Sequence, residues 1–310
     1  MKILVTGGAG FIGSHVVDAL VARKHRVTVL DNLSTGKRTN LNPQAGFIKM
    51  DVASPLVGSA TKRLKPEIIF HFAAQKDPRL SVLDPVADAK TNVIGLLRLV
   101  KAGLECRIRK FILASTGGAI YGGANKIPTP ETYPAHPLSP YGVSKLASEH
   151  YLHSYRHAGG FPSVSLRLAN VYGPRQNPKS EAGAIAIWLG RMARGQRPVI
   201  FGDGRQTRDF VYIDDVVRAF LSAMSKPATG VINVGTSKET DLNTLCGKVA
   251  RAFGSTQRPV YAPSKIGEEH RSAVAIRLAR EELGWKPTTV LDDGLRRTVR
   301  WFHEQHKIKR

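Results

Sequence analysis

The sequence holds 310 residues, 42% of them hydrophobic, with 29 glycines and 46 basic against 24 acidic side chains for a net charge of +22. Such a chain has ample apolar material for a folded α/β globule of one large or two modest domains, which excludes a disordered or disulfide-stapled protein. No apolar run approaches the roughly 18 residues that a membrane-spanning helix needs, so no membrane partner is expected.

Residues 2–6 read as a first strand ending at Thr6, too short for a secretory h-region and flowing straight into a turn. Gly7-Gly8-Ala9-Gly10-Phe11-Ile12-Gly13 follows, and an amphipathic helix continues from Ser14 to about Lys24. The glycines satisfy Gly-x-x-Gly-x-x-Gly at 7, 10 and 13, and Gly-x-Gly-x-x-Gly at 8, 10 and 13. Gly7 permits the tight turn, Gly10 lets the backbone approach a pyrophosphate, and Gly13 lets helix and strand pack closely. A second strand, Arg26 to Leu30, ends at Asp31, placed to accept from the ribose diol of a dinucleotide. A carboxylate there repels a 2′-phosphate and argues for NAD, although Lys37 and Arg38 nearby keep NADP open.

The βα alternation continues. Phe47-Ile48-Lys49-Met50 leads to Asp51-Val52, suited to adenine, and Ile68 to Phe72 leads to the small residues Ala73-Ala74 and then Gln75. Asn92 falls inside an expected helix as a polar residue packed on a loop. Lys110 to Ala114 is another strand, delivering Ser115 and Thr116 at its carboxyl end, where open parallel sheets bind ligands. Tyr141 and Lys145 stand four apart and share a helix face; a cation beside a phenol favours the phenolate, giving a general base for a sugar hydroxyl. His150, His153 and His157 with Glu149 fall on roughly one face of the same helix and read as surface or dimer contacts, so no metal is expected.

Ser163 to Leu168 forms a further strand before Asn170-Val171-Tyr172-Gly173-Pro174-Arg175. Beyond the turn-rich stretch 178–183 the alternation weakens. Gly202 to Phe210 is a glycine-bounded turn with two arginines, and Val231 to Gly235 reads as a buried strand. Helices are expected around 241–253, 276–283 and Leu291 to His303. The expected fold class is α/β: a Rossmann-like doubly wound parallel sheet with a smaller, interleaved α/β substrate-binding lobe. Residues 1–170 would form the dinucleotide domain, joined by segments near 205–237 and 285–310, and 171–204 with 238–284 the second lobe. Cys106 and Cys246 lack metal or redox spacing and suit a reducing cytoplasm. Apart from His306-Lys307-Ile308-Lys309-Arg310 the basic residues are scattered, with no nucleic-acid motif, so they fit steering of an anionic small molecule.

These landmarks, with Leu283-Gly284-Trp285, resemble the extended short-chain dehydrogenase/reductase superfamily and, within it, the bacterial UDP-glucose 4-epimerases. The resemblance covers nearly the whole chain. It implies that Phe11, Ile12, Asp31, Asn32, Leu33, Ser34, Thr35 and Gly36 hold the NAD phosphates and ribose, and Asp51 with Val52 the adenine. Phe72, Ala73, Ala74, Gln75, Lys76, Asn92, Ser115 and Ala169 would line the rest of the channel. Tyr141 would be the base, with Lys145 lowering its pKa and holding the nicotinamide ribose. For a UDP-sugar, Asn170 and Arg208 would grip the diphosphate, Lys265 and Glu268 the diphosphate and uridine ribose, with Arg271 close by. A homodimer is also implied, through the Tyr141 helix.

The sequence departs from the family at three positions. Lysine stands at 265 where arginine is frequent, and it lacks the planar bidentate grip. Ala275 replaces a frequent aspartate. Gly117 replaces a catalytic serine, so Thr116, with Ser115 as second choice, would supply that hydroxyl. Dehydratases and decarboxylases of the superfamily place acids after this strand, whereas Gly117-Gly118-Ala119 offers no titratable group. Epimerisation at C4 of UDP-glucose and UDP-galactose, through a transient 4-keto sugar, is the reading that needs none. UDP-N-acetylglucosamine or UDP-glucuronate are alternative substrates, and a catalytically silent NAD- or RNA-binding protein is a remote one.

Overall fold

The computed structural model describes residues 1–178, 183–264 and 269–306. In chain order the strands are β1 (Lys2–Thr6), β2 (Arg26–Asp31), β3 (Gly46–Lys49), β4 (Ile68–His71), β5 (Lys110–Thr116) and β6 (Ser163–Leu168). Then come β7 (Asn170–Tyr172), β8 (Val199–Phe201), β9 (Thr207–Arg208) and β10 (Phe210–Tyr212). The last four are β11 (Gly230–Val234), β12 (Thr240–Asp241), β13 (Val260–Ala262) and β14 (Arg271–Ser272). The helices are α1 (Phe11–Ala22), α2 (Val57–Leu64), α3 (Pro78–Leu83), α4 (Pro85–Ala89), α5 (Gly95–Glu105) and α6 (Pro140–Gly159). Those that follow are α7 (Ala184–Met192), α8 (Ile213–Ser225), α9 (Leu242–Phe253), α10 (Arg277–Leu283) and α11 (Leu291–His306).

Seven strands form one sheet in the order β3-β2-β1-β4-β5-β6-β11, every pairing parallel. Side chains alternate across a strand, so Ile3 and Val5 enter one apolar layer with Val16, Val17, Leu20 and Phe220, while Leu4 enters the other with Leu96, Leu99 and Val100. Both faces are thereby covered, which explains the uninterrupted apolar runs of β1 and β4. The strand order reverses between β1 and β4, and a doubly wound sheet opens its ligand crevice at that point.

The second lobe grows from small sheets: β10-β7, β12-β9-β14 and β13-β8. Residues 205–237 divide between the two: β9 pairs with β12 and β14, whereas β11 returns to the edge of the large sheet. Buried indoles anchor the junctions, Trp188 donating to the Val199 carbonyl at 2.8 Å and Trp285 to that of Asp215 at 2.8 Å.

Two elements differ from the sequence expectation. The helix around Asn92 is broken: Lys90–Ile94 forms a π-type turn between α4 and α5. The terminal helix extends to His306. Among the described residues no helix is long and apolar enough to cross a membrane.

Candidate active site

The turn after β1 has no room for side chains. Gly7 has a φ of 71°, and a Cβ there would lie 2.5 Å from the Ala73 nitrogen; one on Gly13 would lie 2.3 Å from the Gly7 carbonyl oxygen. Gly10 is the N-cap of α1 and makes no side-chain cap, and the first turn holds no acid. Backbone amides at Phe11 and Ile12 therefore remain as donors for an anion, reinforced by the helix dipole. Asp31 is buried at the end of β2, its Oδ2 accepting from Ala9 N at 3.0 Å and its Oδ1 from Leu33 N at 2.8 Å. Each oxygen keeps a lone pair for a ribose hydroxyl.

Beside it, Ser34 N donates to Asn32 Oδ1 at 2.9 Å, and Asn32 Nδ2 to Asp51 Oδ2 at 2.8 Å, next to buried Val52. Leu33 takes a φ of 62°, so Leu33, Ser34, Thr35 and Gly36 curl around Asp31, with Gly36 against Ala9. The Arg38 guanidinium lies over the Phe47 ring, 5.6 Å from its centroid, which engages one of the two cations that kept NADP open. Uncapped amides, a diol-facing acid and a glycine turn without a Cβ fit a dinucleotide.

On the facing side, Ala73 and Ala74 keep the wall low, and Lys76 stands exposed beyond them. Phe72 meets the cradle through its backbone. Its ring stacks on Phe70 at 6.3 Å and meets Phe220 of α8 edge-on at 4.6 Å, so only its backbone borders the cradle. Gln75 turns inward, donating to Asp88 Oδ1 at 2.9 Å and the Asp77 carbonyl at 2.8 Å. Asn92 donates to the Gln75 carbonyl at 2.9 Å and to Asp88 Oδ1 at 3.0 Å. The π-type turn aims it there. Ala169 continues the far wall, its amide bonded to the Val234 carbonyl at 2.9 Å.

Helix α6 delivers Tyr141 and Lys145. Ser139 caps it by accepting from Gly142 N at 3.2 Å, Pro140 fits the first turn, and Gly160 ends it in the left-handed region. The Tyr141 amide donates to Ser81 Oγ at 3.0 Å, fixing the helix start. Thr116, at the end of β5, lies beside the Tyr141 phenol, where its hydroxyl favours the phenolate. Lys145 is buried and donates to the Ala114 carbonyl at 2.9 Å.

Burial pushes the Tyr141 phenol up to about 12, partly offset by the Thr116 hydrogen bond and reinforced by the Asp88 charge. This corrects the expectation that Lys145 lowers it: within the protein alone, enclosure outweighs any help from the ammonium. Burial pulls Lys145 down to about 8 against the opposing charges of Asp88 and Glu149. The pair is therefore poised rather than pre-ionised.

Gly117 cannot host the serine expected there by resemblance without a shift, because a Cβ would lie 2.7 Å from Val274 Cγ1. Gly118 is open, with only Asn170 Oδ1 near, at 3.9 Å. Ser115, expected to line the channel, is committed elsewhere: its hydroxyl donates to Glu149 Oε1 at 2.5 Å. Glu149 forms a buried bidentate pair with Arg167, at 2.7 and 3.1 Å. The Arg167 guanidinium covers the Tyr121 ring at 4.9 Å, and Tyr121 donates to Asn233 Oδ1 at 2.8 Å. This network was missed in the sequence, although an arginine inside the apolar strand 163–168 and a glutamate one turn beyond Lys145 were its signals.

Toward the second lobe, Asn170 N donates to the Asp209 carbonyl at 2.8 Å, where β7 runs parallel to β10. Buried Asp209 accepts from the amides of Thr236 and Ser237, locking the turn after β11 beside Asn170. Arg208 lies on β9 and donates to the Thr207 carbonyl at 2.8 Å, within the field of Glu269. Arg271 is not directed at the crevice: its guanidinium pairs with Glu239 at 2.5 Å and is exposed. Lys265 and Glu268 lie outside the described residues. His150, His153 and His157 are exposed on α6, the last two stacked at 6.3 Å, and among the described residues no His/Cys/Asp/Glu group has the arrangement of a metal site.

Residues 3–235 match the NAD dependent epimerase/dehydratase family. A putative UDP-glucose 4-epimerase of Methanocaldococcus jannaschii is 42% identical over 98% of this chain and 99% of its own. The crystal structure of a UDP-glucose 4-epimerase from Thermotoga maritima with UDP-glucose superposes with a TM-score of 0.95 at 46% identity, covering 99% of this chain and 100% of that one. That of the Thermus thermophilus enzyme, in complex with NAD, gives 0.93 at 40% identity, over 98% and 99%. The chain belongs to the NAD dependent epimerase/dehydratase family and is an NAD-dependent enzyme.

Proposed function

We propose that the protein inverts C4 of a UDP-hexose, interconverting UDP-glucose and UDP-galactose through a transient 4-keto sugar. The observation that carries this is the Thr116 hydroxyl beside the Tyr141–Lys145 pair at a dinucleotide cradle, in a segment with no acid at 117 or 118. Tyr141 takes the proton of the sugar 4-OH as the C4–H bond breaks, and returns it when the keto group is reduced. Thr116 bridges the 4-OH and the phenol, taking the part of the serine excluded at 117. Lys145 holds positive charge beneath the phenol and binds the nicotinamide ribose. When bound, NAD would supply the acceptor of the C4 hydride and, once reduced, its donor. Elimination or decarboxylation would need a further acid or base at the strand end, which two glycines do not provide. The open position at Gly118 also leaves space for the keto sugar to turn over.

Residues 171–204 and 238–284 form the nucleotide-binding lobe in this reading, with Asn170, Arg208, Lys265 and Glu268 on the diphosphate and uridine. A homodimer follows from an apolar strip: Leu83 on α3, Val86 on α4 and Val143 and Tyr151 on α6 are 80, 76, 53 and 42% exposed. Spacing of eight residues puts the last two on one helix face.

Incubation of the purified protein with UDP-glucose, UDP-N-acetylglucosamine and UDP-glucuronate separately, followed by NMR, tests the proposal. Inversion at C4 of UDP-glucose is expected to be fastest. Faster inversion of either other sugar would replace the substrate, and elimination products would replace the reaction.

A further inference from the structure

A fully enclosed acid lies under the reaction centre. Asp88 projects from α4, and its Oδ1 accepts from two neutral amides, Gln75 Nε2 and Asn92 Nδ2. Its Oδ2 has no hydrogen-bond partner among the described residues. The same cluster reaches α6: Ser148 Oγ donates to the Asn92 carbonyl at 3.1 Å, three residues beyond Lys145. We propose that Asp88 is a positioning residue of the reaction centre, fixing Gln75 and Asn92 on the cofactor side and acting as the counter-ion that keeps the buried Lys145 ammonium charged. The proposal rests on Tyr141 and Lys145 being that centre.

The charges around Lys145 single Asp88 out. From β4 comes His71, whose imidazole burial pushes down to about 3, so it is neutral. From α6 comes Glu149, and from β6 comes Arg167, which binds both Glu149 oxygens while Ser115 from β5 donates to one of them. Glu149 is thus already balanced by a cation. Tyr141 is a protonated phenol. Asp88 alone among these acids has only neutral donors, so its field is not cancelled locally. A buried ammonium loses its proton readily without an anion nearby, and a buried carboxylate oxygen without a donor is costly to retain. The two defects offset each other when the groups lie on packed helices, as α4 and α6 do. The same field acts on Tyr141, holding the phenol protonated until the cofactor and sugar are in place.

Asp88→Asn removes the charge while keeping shape and an acceptor for both amides. Losing the anion lowers the pKa of Lys145 and of Tyr141 together. Both limbs of the pH dependence of kcat are therefore expected to move to lower pH, by about one unit. A lower kcat with both limbs in place would overturn the proposal, since a structural role moves no limb. A thermal double-mutant cycle adds a readout independent of turnover. The Tm loss from Asp88→Asn is expected to shrink or reverse in the Lys145→Met background, and an equal loss in both backgrounds, including failure of both to fold, would overturn it. Absence of turnover by the unsubstituted enzyme would instead refute the epimerase reading and leave the thermal cycle interpretable.

Discussion

Thr116 lies beside the Tyr141 phenol, and the steric reason why no serine fits at Gly117 lies far along the chain, at Val274. Removing the phenol oxygen with Tyr141→Phe is expected to lower kcat by about 1,000-fold while NAD remains bound, measured by NMR turnover and by cofactor absorbance after gel filtration. Thr116→Val keeps the shape and removes only the hydroxyl; kcat is expected to fall about 100-fold with little change in KM. An unchanged rate would take Thr116 out of the reaction. Returning a serine by Gly117→Ser in the Thr116→Val background is expected to restore activity only when Val274→Ala makes room for its Cβ. Contiguous motifs were legible because neighbours along the chain are neighbours in space. Glu149 and Arg167 pair across 18 positions, and Asp88 meets Gln75 across 13, so no local pattern announces them.

At the scale of elements, α6 was readable from its punctuation: a serine cap, a proline in the first turn and a left-handed glycine at the end. The π-type turn at Lys90–Ile94 was not, because the run has no glycine or proline to mark it; Asn92 and its tertiary partners set it.

At the switch point, β1 and β4 are joined by Thr6 Oγ1 and His71 Nδ1 at 2.6 Å. The His71 value in the folded protein, about 3, lies below its ordinary 6.5, so the unfolded chain binds the extra proton between those limits. Stability from this group is complete above 6.5 and is lost as pH falls toward 3. Melting curves from about pH 7 to about pH 4 are expected to fall less steeply for His71→Asn, even though its Tm at neutral pH is lower. Parallel slopes would argue against a buried neutral imidazole.

For the whole molecule, the alternation of strands and helices was enough to anticipate a doubly wound sheet that the segment near 205–237 rejoins, but not the partner of its strand. β11 returns after a long excursion, and its apolar run resembles any buried strand; only its register with β6 distinguishes it. A homodimer through the Tyr141 helix was implied by resemblance rather than read from residues, and the strip on α3, α4 and α6 is the surface proposed for it. Charge placed on it by Val143→Glu is expected to halve the mass seen by light scattering, while the far-UV spectrum stays unchanged. An unaltered mass would move the interface elsewhere.

The proposed reaction removes a hydride from C4 and returns it to the opposite face, with Tyr141 moving only the hydroxyl proton. Turnover of UDP-glucose deuterated at C4, in ordinary water, tests this most directly. UDP-galactose that keeps its deuterium at C4, with no net reduction of NAD, is the expected result. Deuterium lost to water would contradict it, because the C4 hydrogen would then have left as a proton.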